Sequence, residues 1–194
     1  PRTRMGASLT VSRSIFSAPR TAFTFAAFGH KAVSVLDGGL PAWIDAGEKI
    51  DTASLSADPS VEPVEYPTPT LRDGWIRSFD EMLANTKLGF RRQVVLDARA
   101  KARFDGHVAE ARPGLASGHI PGARSLPFMD VLEQHTASDP RASERKYTTL
   151  KQQSDLWKLV NAAVGGDDGI EKLRHDGSSS GSLGVSLSCG SGMT

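Results

Sequence analysis

The stretch Gly184-Val185-Ser186-Leu187-Ser188-Cys189-Gly190-Ser191-Gly192-Met193-Thr194 decides how the rest of the chain is read. Val185 and Leu187 alternate with small polar residues, the period of a short strand. A cysteine follows at once, in a run of glycine and other small residues. Glycine tolerates positive φ and lets backbone N–H groups curl toward a neighbouring atom, so such a loop stabilises an anion on the sulfur. A cysteine reacts as thiolate, from an ordinary pKa of about 8.5, and N–H donors or a helix N-terminus favour the charged form. A strand followed by a glycine-rich loop with a nucleophile is how α/β enzymes present a reactive group at the carboxyl edge of a sheet. The expectation is an α/β fold with Cys189 as its reactive group. The competing reading of the same residues is a small buried hydrophobe before a polar tail.

The 194 residues are 39% hydrophobic with a formal net charge of +1, which describes a globular chain able to bury a sizeable core. Lys and Arg number 23 against 22 Asp and Glu, so no excess of positive charge marks a nucleic-acid or anionic-membrane partner. No apolar run approaches the roughly 20 residues of a membrane span. One cysteine permits no internal disulfide, which points to a reducing compartment and leaves the thiol available for chemistry. The histidines, His30, His107, His119, His135 and His175, lack ligand spacing, and no metal is expected. The first 36 residues contain Arg2, Arg4, Arg13, Arg20 and Lys31 and no acid, the composition of a mitochondrial transit peptide. From Ile15 onward the same residues also read as part of a domain, and both readings stand.

Upstream, the periods alternate between helix and strand. Ser17 reads as a helix cap before Pro19, with Ala22, Phe25, Ala26 and Phe28 at helical intervals until Gly29. Val33 to Leu36 forms a short apolar strand, and Pro41 opens a short helix closed by Gly47. Residues 51–72, with Pro59, Pro63, Pro67 and Pro69, read as an extended linker. Ser78 with Glu81 makes a capping box for a helix running to Lys87. Gln93-Val94-Val95-Leu96-Asp97 is an apolar run suited to a buried parallel strand, and Asp97 at its end reads as a loop cap and sheet-edge hydrogen bonder. Residues 125–128 read as a strand segment, and Met129-Asp130-Val131-Leu132 starts a helical turn that ends before Ser138-Asp139-Pro140, followed by a polar stretch to Thr149. Leu150, Leu156, Leu159, Val160 and Ala163 give a helical packing stripe stopped at Gly165.

Three segments carry a family resemblance. Cys189-Gly190-Ser191-Gly192-Met193-Thr194 resembles the active-site loop of rhodanese-type sulfurtransferases, and its neutral Gly-Ser is similar to the 3-mercaptopyruvate version rather than the basic thiosulfate version. Ser117-Gly118-His119-Ile120-Pro121-Gly122-Ala123 resembles the signature segment of rhodanese domains. Phe28-Gly29-His30 with Val33-Ser34-Val35-Leu36-Asp37-Gly38-Gly39-Leu40-Pro41-Ala42-Trp43 resembles the closing part of the first domain in two-domain members. The resemblance implies a rhodanese-like open parallel sheet with helices on both faces. It implies residues 1–50 as the remnant of a first, non-catalytic domain, 51–72 as linker, and 73–194 as a second, catalytic domain lacking its last helix. The Gly/Ser run before Gly184 departs from the family, where a short loop feeds the last strand.

The resemblance further implies that Cys189 carries sulfur as a covalent persulfide with no other cofactor, and that Arg103 and Arg112 bind the substrate carboxylate, a role suited to the planar guanidinium. Ser191 is expected to donate a hydrogen bond or proton to the leaving group. The backbone of Gly190, Gly192, Met193 and Thr194 is expected to hold the persulfide. His119 is expected to hydrogen-bond its own loop. The implied partners are a small sulfur donor, 3-mercaptopyruvate or thiosulfate, and an acceptor such as thioredoxin, another thiol or cyanide, in mitochondria or cytoplasm, with no nucleic acid or membrane. The alternatives are a catalytically impaired rhodanese-like binding module and a rhodanese-fold phosphatase. A phosphatase of this fold carries an arginine shortly after the cysteine, to grip phosphate.

Overall fold

The computed structural model describes residues 7–9, 15, 17–52, 65, 68–89, 93–142, 146–167 and 184–189. They fall into two compact units, Pro1–Trp75 with Gln134–Leu150, and Ile76–Glu133 with Lys151–Thr194.

In the first unit, strand β1 (Ala7–Leu9) pairs in parallel with β2 (Val33–Val35), Ala7 opposite Val33 and Leu9 opposite Val35. The connection contains helix α1 (Ala18–Ala27), with Pro19 in its first turn, where a missing N–H costs nothing. Ser17 occupies the N-cap position, but its hydroxyl makes no capping bond. Its ψ of −24° is already helical, and it is the Ser17 carbonyl that accepts from the Thr21 amide at 3.3 Å. The helix ends at Gly29, φ +87°, where the amides of Gly29 and His30 fold back onto the Ala26 and Phe25 carbonyls, each at 3.0 Å.

Helix α2 (Gly39–Asp45) starts two residues earlier than Pro41 suggested. It is nucleated at Gly38, whose φ of +81° suits glycine and whose added Cβ would fall 2.5 Å from that of Ala42. The buried core of this unit is Ile44 with Ala137 and Ala142, flanked by Leu40 and Tyr147. Leu132–Thr136, expected within a helical turn, is instead strand β5, and Lys146–Leu150, whose residues up to Thr149 were expected as a polar stretch, is strand β6; the two pair as a two-stranded sheet. Asp45 ties this segment to α2, accepting from the amides of Ser138 and Asp139 at 2.6 and 3.2 Å and from the Tyr147 hydroxyl at 3.2 Å. The compact unit that contains residues 1–50 thus also contains residues 134–150, far beyond the proline-rich linker stretch.

The second unit is built on a parallel sheet of order β4-β3-β7. Helix α3 (Phe79–Lys87) leads into it through a complete capping box: the Glu81 amide donates to Ser78 Oγ at 3.2 Å, and the Ser78 amide donates to Glu81 Oε2 at 2.8 Å. Buried Asn85 pairs with both the N–H and the C=O of Gln93, at 3.1 and 2.9 Å, fixing where β3 (Gln93–Asp97) begins. Val95, Leu96 and Asp97 are buried, and Val95 packs with Phe104 and Ala123 into a core joined by Met82 and Ile120. After short helix α4 (Lys101–Phe104) and its loop comes β4 (Arg124–Ser125), two residues where a longer segment was expected. A 3-10 turn follows at Phe128–Val131, then α5 (Gln153–Val164), stopped by Gly165 at φ +107°. Leu150, expected on the stripe of this helix, belongs instead to β6. The last strand, β7 (Gly184–Ser188), returns to the opposite side of β3, Asp97 opposite Ser188. The chain therefore leaves β3 toward β4 and comes back on the other flank. In open parallel sheets, ligands bind in the crevice that this reversal opens at the carboxyl ends of the strands.

Candidate active site

The carboxyl end of β3 is held on both flanks. The Ala98 amide donates to the Ser188 carbonyl at 2.8 Å, the Leu126 amide to the Asp97 carbonyl at 2.9 Å, and the Phe128 amide to the Ala98 carbonyl at 3.0 Å. Cys189, partly buried, is the first residue beyond β7 and so lies on the sheet edge next to the start of the β3–α4 loop. Gly190, Ser191, Gly192, Met193 and Thr194, expected to cradle its sulfur, lie outside the described residues.

The β3–α4 loop is organised by a carboxylate not exposed to water. Asp97, 2% exposed, accepts from the Arg99 amide at 2.9 Å, from Arg99 Nε at 3.0 Å and from Arg99 Nη2 at 2.6 Å. Burial pushes the Asp97 carboxyl up, but the hydrogen bonds from the Arg99 side chain and backbone outweigh it, and the group lies below the usual carboxylate value. This is the loop-capping, sheet-edge role expected of Asp97. Arg99 has further donors. Nη1 reaches Glu110 Oε1 at 2.6 Å, and Nη2 reaches the Gly118 carbonyl at 2.7 Å, so one guanidinium ties the strand end to both feet of the loop that carries Arg112.

Arg103, on α4, donates through Nη2 to the other oxygen of Glu110. Its side chain is 27% exposed, and its Nε is buried without a hydrogen-bond partner. Glu110 is thus shared by two guanidiniums, and the hydrogen bond from Arg103, then the charges of Arg103 and Arg99, hold its carboxyl below the usual range. Arg112 is exposed, and among the described residues no ion pair engages it. In this network the charges of Asp97 and Arg99, and of Glu110 and Arg103, balance. Arg112 is left as the loop's uncompensated guanidinium among the described ion pairs.

His119, in the Ser-Gly-His-Ile-Pro-Gly segment, stacks on Phe104 with ring centroids 3.7 Å apart and planes 8° from parallel. Its Nδ1 donates to the Phe104 carbonyl at 2.8 Å, one of the carbonyls a helix end leaves unsatisfied. The histidine therefore has a structural hydrogen bond, but to the end of α4 rather than to its own loop, and it fastens the segment to that helix. Arg99 and Glu110 were not anticipated. They stand 11 positions apart in sequence, with helix α4 and part of the following loop between them, a separation that no periodicity marks. The one available cue was Asp97-Ala98-Arg99, an acid at a strand end with arginine two residues on. Among the described residues no group of three His, Cys, Asp or Glu side chains is placed to hold a metal ion, and no helix is long and apolar enough to cross a membrane.

A thiol at the carboxyl end of a parallel sheet, in a unit whose β3–β4 connection carries Arg99, Arg103 and Arg112, suits transfer of a group from a small anion. No protein-family model matches the chain. It is 36% identical over 151 residues to human 3-mercaptopyruvate sulfurtransferase, covering 78% of this chain and 48% of that protein. To the mitochondrial thiosulfate/3-mercaptopyruvate sulfurtransferase 1 of Arabidopsis thaliana it is 32% identical over 169 residues, covering 79% and 44%. The cryo-EM structure of the yeast mitochondrial complex I sub-stoichiometric sulfur transferase subunit superposes with a TM-score of 0.67 at 26% identity, over 97% of this chain and 58% of that one. The chain spans about half the length of the curated relatives it matches. The parallel order β4-β3-β7, a cysteine at the carboxyl end of β7 and homology along most of the chain together show that it belongs to the rhodanese-fold sulfurtransferase family.

Proposed function

We propose that the protein transfers sulfane sulfur from 3-mercaptopyruvate, with thiosulfate as a second donor, through a persulfide on Cys189 to a thiol acceptor. The observation that carries this is the position of Cys189, the residue directly after β7 at the carboxyl end of the parallel sheet, beside the start of the β3–α4 connection. Arg103 and Arg112 hold the carboxylate and carbonyl end of the donor through charge-assisted N–H bonds. The Cys189 thiolate attacks the donor sulfur: the S–S bond forms, the carbon–sulfur bond breaks, and its electron pair leaves on pyruvate as the enolate. Ser191 hydrogen-bonds or protonates that leaving group, and the backbone N–H groups of residues 190–194 stabilise the persulfide. A second thiolate then attacks the outer sulfur and takes it away as a persulfide, restoring the Cys189 thiolate. Reduced thioredoxin fits this role, and cyanide would leave as thiocyanate. No cofactor beyond the covalent sulfur enters the scheme.

The acting compartment is mitochondrial or cytosolic, the first supported by the mitochondrial name of one relative. Mass spectrometry of Cys189 after exposure to 3-mercaptopyruvate, and separately to thiosulfate, tests the reading. A gain of one sulfur on Cys189 is expected with 3-mercaptopyruvate. No gain with either donor would overturn the proposal, and a gain with thiosulfate alone would reverse the donor order.

A further inference from the structure

We propose that Glu110 is the positioning residue for Arg103, a role that rests on the sulfurtransferase reading above. An arginine side chain is long, and holding it in one rotamer costs roughly 2 kcal/mol of conformational entropy unless something else holds it first. Arg103 is partly exposed and sits on a helix of only four residues, Lys101–Phe104, so its backbone gives it little guidance. Glu110 supplies the missing constraint. Its carboxylate is nearly buried, 7% exposed, and one of its oxygens is fixed by Arg99 Nη1 at 2.6 Å while the other takes Arg103 Nη2. Arg99 cannot drift in turn, because its other donors are held by Asp97 and the Gly118 carbonyl. The result is a relay in which the end of β3 sets Arg99, Arg99 sets Glu110, and Glu110 sets Arg103.

The relay also answers an electrostatic objection. A carboxylate beside a carboxylate-binding arginine should repel the substrate. Glu110 carries a single negative charge shared between two cations, however, and with Asp97 buried against Arg99 the two carboxylates and two guanidiniums of this network sum to zero, so no net negative charge faces the donor. Arg103 has donated one of its five N–H groups to Glu110 and its Nε–H is buried, which leaves its remaining Nη N–H groups for a ligand. Nothing in this requires Glu110 to touch the substrate, so its effect must pass through Arg103.

Glu110→Gln is the informative change, because glutamine offers one acceptor oxygen where two guanidiniums need one each, and turns an N–H₂ toward the other cation. In the full chain, Glu110→Gln is expected to raise KM for 3-mercaptopyruvate about tenfold, the worth of one charge-assisted hydrogen bond, with kcat unchanged. In an Arg103→Ala background the same change should raise KM no further, because the residue it acts through is gone. An equal rise in both backgrounds would overturn the proposal, as would an unchanged KM in the single variant. If Glu110→Gln does not fold, as read by urea denaturation, the cycle is run with Glu110→Asp. Its shorter carboxylate reaches only one of the two arginines, and the same non-additive rise is expected. Wild-type chain that gains no sulfur on Cys189 from either donor would instead sink the underlying sulfurtransferase reading, and the two failures are told apart by that one mass measurement.

Discussion

Arg99 grips Asp97 with its side chain and its own backbone amide, Nη2 at 2.6 Å, Nε at 3.0 Å and the amide at 2.9 Å, while Asp97 is almost sealed from water. A carboxylate buried at the end of a central strand is tolerable only because this guanidinium meets it; alone, either charge would face a large desolvation cost. The same pair shapes the turn by which the chain leaves β3 toward α4, the helix that carries Arg103.

Removing one partner of that pair leaves the other charge stranded. Asp97→Ala is expected to destabilise the fold by about 3 kcal/mol, measured by urea denaturation. A loss of about 0.5 kcal/mol or less, the scale of a surface substitution, would show that Arg99 is held by Glu110 and Gly118 alone.

The pair also gives the stability a pH dependence of known sign. In the folded state the Asp97 carboxyl lies below its ordinary value of 3.8, because the Arg99 hydrogen bonds overcome the upward push of burial. Its contribution is fully present above that ordinary value and is lost as pH falls through the lower, folded one. The unfolding free energy of the wild type should therefore drop with acid below about pH 4, and Asp97→Asn should flatten that part of the curve. Identical slopes for the two proteins would refute this.

Two serines that both read from sequence as helix caps, Ser78 with a capping-box partner and Ser17 without one, should behave differently. Ser78→Ala breaks a capping box in which both bonds are made, and should cost about 1 kcal/mol. Ser17→Ala should cost almost nothing from capping, since its hydroxyl caps no amide of α1. Paired denaturation curves decide it; equal losses would mean that Ser17 caps its helix in solution.

The contrast shows what the residues disclosed and what they withheld. Strand β3 was legible to its ends because a contiguous apolar run buried on both faces writes itself into composition, and Ser78 with Glu81 was legible because a capping box is a local bargain between four residues. Cys189 at the end of β7 followed from a strand period and a glycine-rich loop, and its family from the wording of three segments. Strands β5 and β6 were missed. Leu132-Glu133-Gln134-His135-Thr136 has no clean alternation, and its placement depends on Asp45, about 90 residues away, capping the amides of Ser138 and Asp139. The Tyr147, Thr148 and Thr149 of β6 do favour a strand, and that signal went unused. Arg99 and Glu110 were invisible for a different reason: an ion pair across a loop obeys no period.

Arg103 and Arg112 stand in different surroundings and should fail differently. Arg103→Ala removes a fixed donor and should lower kcat/KM for 3-mercaptopyruvate by roughly ten- to a hundredfold, the range of a charge-assisted hydrogen bond. Arg112 is exposed and unpaired among the described ion pairs, so Arg112→Ala should fall at the low end of that range and respond more strongly to added salt. Steady-state kinetics at two ionic strengths measures both. Wild-type kinetics in both variants would remove these arginines from the site.

His119 provides the last test, because a histidine in the unit that holds the candidate nucleophile invites a catalytic reading that its contacts argue against. Its Nδ1 is committed to the Phe104 carbonyl and its ring lies flat on Phe104, so its proton already has a structural use. His119→Ala should cost about 1 kcal/mol from lost stacking, and more from the unsatisfied carbonyl at the end of α4. His119→Asn, whose amide keeps a donor for that carbonyl, should recover part of the loss. In both variants the shape of the pH profile for sulfur transfer should stay that of the wild type, because a residue that only fastens a loop changes how much active protein there is and not which proton limits the rate. A profile that loses one limb in His119→Asn would make the imidazole a participant in proton transfer, and the loop-fastening role would then be secondary.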